Sequence, residues 1–246
     1  MAYRAAALAE WQFVDLFEPP NATEPLLAHL RAFCFPGGED AARQIHSVRS
    51  TEKGEMRSSP QARWIPFDSE QTIDATGSNF CWNSHFHTAK ILPVTVTDAY
   101  EQHHGKLIAK VGPLTTLKVE GPDADKGELQ RYLASFIYCP AMLLNHPSLE
   151  WTAAGPLTLR LSDHNGPTGT TVDIEITDAG KPVACRADRP RMAGKRSILT
   201  PWMGMGSDFH EREGMQVPDR LEVFWLLSSG WFSYYRSQIT SFAVVH

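Results

Sequence analysis

The sequence predicts an α+β fold: a mainly antiparallel, curved sheet, an incomplete β-barrel, wrapped around a central helix, with short helices at its N-terminus. Three observations predict it. From Ser50 onward apolar residues recur with a period of two between turn signals, which is the pattern of half-buried strands. Residues 127–145 instead repeat at three and four positions, which is the pattern of a helix. No internal repeat, low-complexity tract or composition shift divides the 246 residues, and β-rich architectures of about 200–250 residues form one domain. We therefore expect a single domain over 1–246, in which a helical segment, 1–45, packs on a body of sheet and helix spanning 50–242.

The elements follow in order. Leu8, Trp11, Val14 and Leu16 stand near helical spacing and Pro19-Pro20 ends the run, so residues 2–17 read as a short amphipathic helix. Thr23 is placed to cap a second helix, with Glu24 and Pro25 in its first turn and Leu26, Leu27 and Leu30 as its apolar stripe; Pro36-Gly37-Gly38 stops it. Phe80, Trp82, Ser84 and Phe86 then share one strand face, and Cys81, Asn83, His85 and His87 share the other. Val94 and Val96 alternate with threonines, and 106–111 and 114–120 flank a Gly112-Pro113 turn. In the central segment Leu129, Tyr132, Leu133, Phe136, Ile137, Leu143 and Leu144 supply a wide apolar arc, interrupted at Pro140, so this helix is expected to be buried. Strands resume with Leu157, Leu159 and Leu161, turn at Asn165-Gly166, and continue with Val172, Ile174 and Ile176. Asp178-Ala-Gly180 turns into 183–188. Residues 221–227 and 231–242 form the last pair, joined at Ser228-Ser-Gly230. The stretch 202–211, rich in Gly and Met, reads as a flexible lid.

Composition narrows the function. A net charge of −5 lacks the basic footprint that phosphate backbones require, so nucleic acid is not an expected partner. No apolar run approaches the roughly 20 residues of a transmembrane helix. Residues 1–10 are too short and too soon interrupted in their apolar character for a secretory signal, which makes the cytoplasm the expected location. The four cysteines, Cys34, Cys81, Cys139 and Cys185, form no C-x-x-C pair and are expected to be reduced and unpaired. G-x-S-x-G, G-x-G-x-x-G and Walker sequences are absent, so no cofactor is expected. Seven Trp and twelve Phe suit an apolar cavity under the helix, and hence a hydrophobic or amphiphilic small-molecule partner.

Several phrases together, Trp64-Ile-Pro-Phe-Asp-Ser-Glu-Gln71, Gly127-Glu-Leu-Gln-Arg-Tyr-Leu-Ala134, Arg189-Pro-Arg191, Thr200-Pro-Trp202, Val223-Phe-Trp225 and Tyr234-Tyr-Arg236, resemble an uncharacterised bacterial family catalogued as a domain of unknown function. The resemblance spans about residues 50 to 242. It implies a fold and a set of positions, Gln71, Asp98, Glu128, Arg131, Arg189 and Arg236, and no reaction. One departure is that Ser135 stands where the family helix carries a glutamate.

Several constellations could carry chemistry. His85 and His87 have the spacing of a strand metal site but lack further ligands, since Ile91 and Leu92 stand where a glutamate would complete it; no metal is expected. His103-His104 lies in a turn whose neighbouring side chains point apart. Glu128 and Arg131 can pair across one helical turn, either as a structural network or as a ligand anchor. Tyr234, Arg236 and Gln238 share one face of the last strand, and Trp231, Tyr235 and Ile239 the other. Arg186, Arg189, Arg191, Lys195 and Arg196 concentrate positive charge, as a solvated hairpin face or an anion-binding patch. The expected function is cofactor-independent acid–base chemistry (an isomerase, lyase or hydrolase) with Asp98, Glu128 and His85 as proton carriers and Gln71, Trp82, Arg131, Tyr234 and Arg236 holding the substrate. The alternative is a non-catalytic carrier of a lipid-like ligand.

Overall fold

The computed structural model describes residues 22–88, 92–194 and 196–246. The helix expected at 2–17, Ile91 and Lys195 lie outside them. Thirteen strands form one sheet in the order β6-β5-β4-β3-β2-β1-β13-β12-β11-β10-β9-β8-β7. They are β1 (Ser47–Met56), β2 (Ile65–Asp74), β3 (Phe80–Phe86), β4 (Val94–Glu101), β5 (His104–Val111), β6 (Leu114–Val119), β7 (Leu149–Gly155), β8 (Thr158–Asp163), β9 (Thr171–Ile176), β10 (Pro182–Ala193), β11 (Arg196–Arg212), β12 (Met215–Leu227) and β13 (Gly230–Val245). Every paired neighbour is antiparallel. β6 and β7 are the two edges, so the sheet is unclosed.

The order has a simple physical origin. Short turns join consecutive strands into two meanders, β1 to β6 and β7 to β13, which meet where the first strand pairs with the last. The connection from one edge to the other is the helical segment. It comprises α2 (Pro122–Ala134), a tight turn over Ser135–Ile137 and the short α3 (Met142–Asn145). The earlier helix, α1 (Thr23–Cys34), precedes the sheet and touches β7, β8 and β12.

Helix α2 begins earlier than its apolar period suggests. Pro122 stands in its first turn, where a missing N–H costs nothing, and Gly121 supplies the positive φ of 99° that turns the chain into it. The expected helix over 127–145 is thus moved toward the N-terminus and broken around Pro140, whose ring cannot continue it. Leu129, Tyr132, Leu133 and Phe136 are fully buried, and α2 packs on β4, β5, β9 and β10. Gly105 allows this approach: a Cβ there would stand 2.2 Å from the Ala124 carbonyl oxygen. Its N–H donates to Asp125 Oδ1 at 2.8 Å, which fixes the helix start on β5.

Three local readings are corrected. Residues 202–211 are not a lid: they lie within β11, where 202–204 pair with both β10 and β12 and the residues beyond, Asp208 apart, pair with β12 alone. Ala22, not Thr23, is the N-cap of α1, while Thr23 Oγ1 accepts a hydrogen bond from the Ala153 N–H at 2.9 Å and so ties the helix to β7. The third concerns β13. There Val223 pairs with Tyr235 and Phe224 with Ser233, which leaves Tyr234 as an extra residue in a β-bulge. The bulge shifts the alternation, so Tyr234 does not share a face with Arg236.

Candidate functional site

A cavity of about 310 Å³ lies between α2 and the sheet, at the lower end of the range for small-molecule sites of roughly 300–1,000 Å³. Its wall is built mainly from apolar side chains such as Met56, Leu107, Ile137, Val223 and Trp225. Into it the fold brings six of the eight residues singled out by sequence: Gln71, Trp82, Asp98, Glu128, Arg131 and Tyr234. They arrive by different routes. Gln71, Trp82 and Asp98 sit on directly paired positions of β2, β3 and β4, so the pleat turns all three to one side. Glu128 and Arg131 come from adjacent turns of α2.

His85 and Arg236 are not part of it. His85 is exposed because its face of β3 is opposite that of Trp82. Arg236 is exposed on β13, where it pairs with Glu55 and lies 4.4 Å from the Trp64 ring centre. Neither His103 nor His104 approaches Asp98: both are exposed in the β4–β5 turn, where Gln102 and His103 adopt positive φ. His87 is also exposed and contacts Asp68 at 2.6 Å.

The pairing of Glu128 with Arg131 is not observed. Instead Arg131 Nη1 donates to Asp98 Oδ2, and the guanidinium lies over the Trp82 ring at 4.8 Å and the Phe80 ring at 5.2 Å. Burial lowers the Arg131 pKa, yet the group has its carboxylate and two aromatic faces to replace water. Glu128 faces Arg189, whose Nη2 stands 3.9 Å from Glu128 Oε2 and donates to the Gly127 carbonyl at 2.6 Å. Burial pushes the Glu128 carboxyl up to about 7, and the Arg189 charge offsets only part of that rise.

Sequence reasoning missed Glu52 and Tyr235. Glu52 is 2% exposed and accepts from the Tyr235 hydroxyl at 2.7 Å, Gln71 Nε2 at 3.3 Å and Ser69 Oγ at 3.4 Å. Burial, together with the Glu52 charge, holds the Tyr235 pKa well above its ordinary value. Tyr234 Oη accepts from Trp202 Nε1 at 3.1 Å, and its ring stacks on Trp225 with centroids 5.7 Å apart. Trp202 in turn lies under Arg189 at 4.8 Å. The Arg189-Pro-Arg191, Thr200-Pro-Trp202 and Val223-Phe-Trp225 phrases thus converge on one wall, although their spacing in the chain gives no sign of it.

A search of curated proteins finds no match. Among solved structures, a DUF1329 family protein from Desulfovibrio piger is similar over 93% of this chain and 94% of its own, at 10% identity and a TM-score of 0.51. A domain from Vibrio parahaemolyticus described as outer membrane lipoprotein-sorting is similar over 91% and 92%, at 8% identity and a TM-score of 0.50. A LolA superfamily protein from Nitrosomonas europaea covers 91% and 94%, at 10% identity and a TM-score of 0.48. The first two share the fold of this chain. Residues 29–243 match the sequence pattern of a family of unknown function, DUF6920, and the chain belongs to that family.

Proposed function

We propose that this protein is a carrier that holds the apolar part of an amphiphilic small molecule in the cavity beneath α2, with the sheet curving around the helix to enclose it. One observation carries the reading: the buried charged groups facing the cavity are largely engaged with protein partners, Asp98 with Arg131, Arg189 with Gly127 and Glu128, and Glu52 with three donors, while most of the remaining wall is aromatic and aliphatic. Such a wall stabilises an apolar ligand by removing its surface from water, at roughly 25 cal/mol per Å² before the costs of association. The fold shared with a domain described as lipoprotein-sorting is in keeping with a protein that shelters an apolar group.

The acid–base reading has less support. It requires two titratable groups free to exchange a proton with a substrate. Asp98 is held by Arg131 and His85 lies on the outer face, which leaves Glu128 without a partner in the work. Fluorescence titration with phenylnaphthylamine, an uncharged apolar probe, tests the carrier. Saturable uptake of about one probe per chain is expected, and Val223→Trp, which fills the cavity, should abolish it while circular dichroism shows the sheet intact. An absence of uptake by the unaltered protein would refute the carrier.

A further inference from the structure

Five polar atoms on the cavity side chains have no hydrogen-bond partner among the described residues: two carboxylate acceptors, Asp98 Oδ1 and Glu128 Oε2, two N–H donors, Trp82 Nε1 and Arg189 Nε, and the Tyr138 hydroxyl, which can act as either. Their parent residues are all at least nine-tenths buried. The residues that carry the carboxylate and N–H atoms are linked through Arg131. Trp82 and Asp98 are directly opposed across β3 and β4, Arg131 bridges them by pairing with Asp98 and covering the Trp82 ring, and Glu128 with its Arg189 lies one helical turn from Arg131. A buried polar atom without a partner destabilises the fold, so these orphans ask for a ligand group that supplies what is missing.

Three kinds of headgroup can be weighed against this set. A carboxylate offers only acceptors: it could take free N–H groups of Arg131 and Arg189, but it would bring a further negative charge against Asp98 and Glu128, whose Oδ1 and Oε2 would stay without donors. An ammonium offers only donors, and would be buried against Arg131 and Arg189 with no acceptor role for Trp82 Nε1 or Arg189 Nε to meet. A hydroxyl both donates and accepts, carries no charge into the cavity, and can satisfy one orphan of each kind. Two adjacent hydroxyls can satisfy both carboxylate acceptors and both N–H donors.

We infer that the ligand is a neutral amphiphile whose headgroup bears hydroxyls, a glycerol-like or other polyol group, seated between Asp98 Oδ1, Glu128 Oε2, Trp82 Nε1 and Arg189 Nε with its apolar chain in the remaining cavity. The inference rests on the carrier reading and adds the headgroup chemistry to it. Three probes of one chain length discriminate the headgroups: monododecanoylglycerol, dodecanoate and dodecylamine, each measured at pH 8 by displacement of phenylnaphthylamine and by direct calorimetry. The glyceride should bind at least about tenfold more tightly than either charged probe, the scale set by one or two hydrogen bonds to charged groups. Glu128→Leu should lower the preference for the glyceride over phenylnaphthylamine about tenfold. Trp82→Phe, which keeps the ring and removes the donor, should lower it in the same direction, and serves if Glu128→Leu does not fold. Dodecanoate or dodecylamine binding as tightly as the glyceride overturns the inference, as does a preference unchanged in a folded variant. If phenylnaphthylamine and all three amphiphiles fail to bind, the carrier reading itself falls and the headgroup with it; if phenylnaphthylamine binds and the glyceride does not, only the headgroup falls.

Discussion

Replacing Glu128 by Gln should remove a pH dependence of stability that the fold builds into this one carboxyl. In the unfolded chain the group titrates at its ordinary value of 4.5, and in the folded protein burial raises that to about 7. Between these values the folded state keeps the proton and the unfolded state has lost it. Stability contributed by the protonated form is therefore fully present below about pH 4.5 and is lost as pH rises through about 7. At 1.36 kcal/mol per unit the full effect is about 3 kcal/mol. Other buried groups are also shifted, His146 with a pKa lowered by burial and Asp163 with one that burial raises but hydrogen bonds, led by that from Ser78, bring below its ordinary value. They are common to both proteins, so the difference between the two proteins isolates Glu128. Urea denaturation followed by Trp fluorescence at pH 4, 5, 6, 7 and 8 gives that difference. The stability of Glu128→Gln relative to the unaltered protein should rise by about 3 kcal/mol across the series. A difference that is flat with pH, or that falls, would refute the reasoning, since it would mean that the carboxyl reaches water or an additional donor.

Three further outcomes are expected. Arg131→Met leaves Asp98 buried without its cation and should cost about 3–5 kcal/mol, of which adding Asp98→Leu should restore a large part; a cost near zero in urea denaturation would contradict the buried pair. Gly105→Ala places a Cβ against the backbone of Ala124 and should cost about 1–3 kcal/mol or more, whereas Gly37→Ala, which meets nothing within 4 Å, should change stability little. In thiol titration of the native protein only Cys81, the one partly exposed cysteine, should react promptly: burial raises the pKa of all four thiols, but Cys34, Cys139 and Cys185 are also closed to the reagent; four thiols should react in urea.

Much of the strand pattern was legible because a two-residue period is a local property. Phe80, Trp82 and Ser84 are buried on β3 and His85 exposed, as alternation alone requires. The same rule failed on β13 because the bulge at Tyr234 depends on how that strand pairs with β12, which no local pattern records. The helix was recognised by its apolar arc but misplaced, since Pro122 and the following acidic residues carry no apolar period. Residues 202–211 looked like a loop because Gly weakens strand propensity, yet pairing with β12 along the stretch, and with β10 over 202–204, outweighs a preference worth about 1 kcal/mol.

The site shows the same division more sharply. Six of its residues were found because buried charge and aromatic character are unusual enough to notice one at a time. Their partners were not, because a partner is a fact of topology: Asp98 and Arg131 are 33 positions apart, and Tyr235 and Glu52 are 183 apart. The second pair exists only because the first and last strands of the sheet meet, which places Glu52 of β1 on the inner face with Tyr235 of β13 nearby. That junction also explains why the cavity tolerates so much charge. Each carboxylate is supplied by one element and at least part of its neutralising group by another, so a charge that would be prohibitive on an isolated strand or helix is balanced only in the assembled fold. The balance stops short at Asp98 Oδ1 and Glu128 Oε2. Unmet acceptors weaken the folded chain, and the gain from a ligand that meets them comes in the same currency, so the atoms that reduce its stability are those best placed to recognise what it carries.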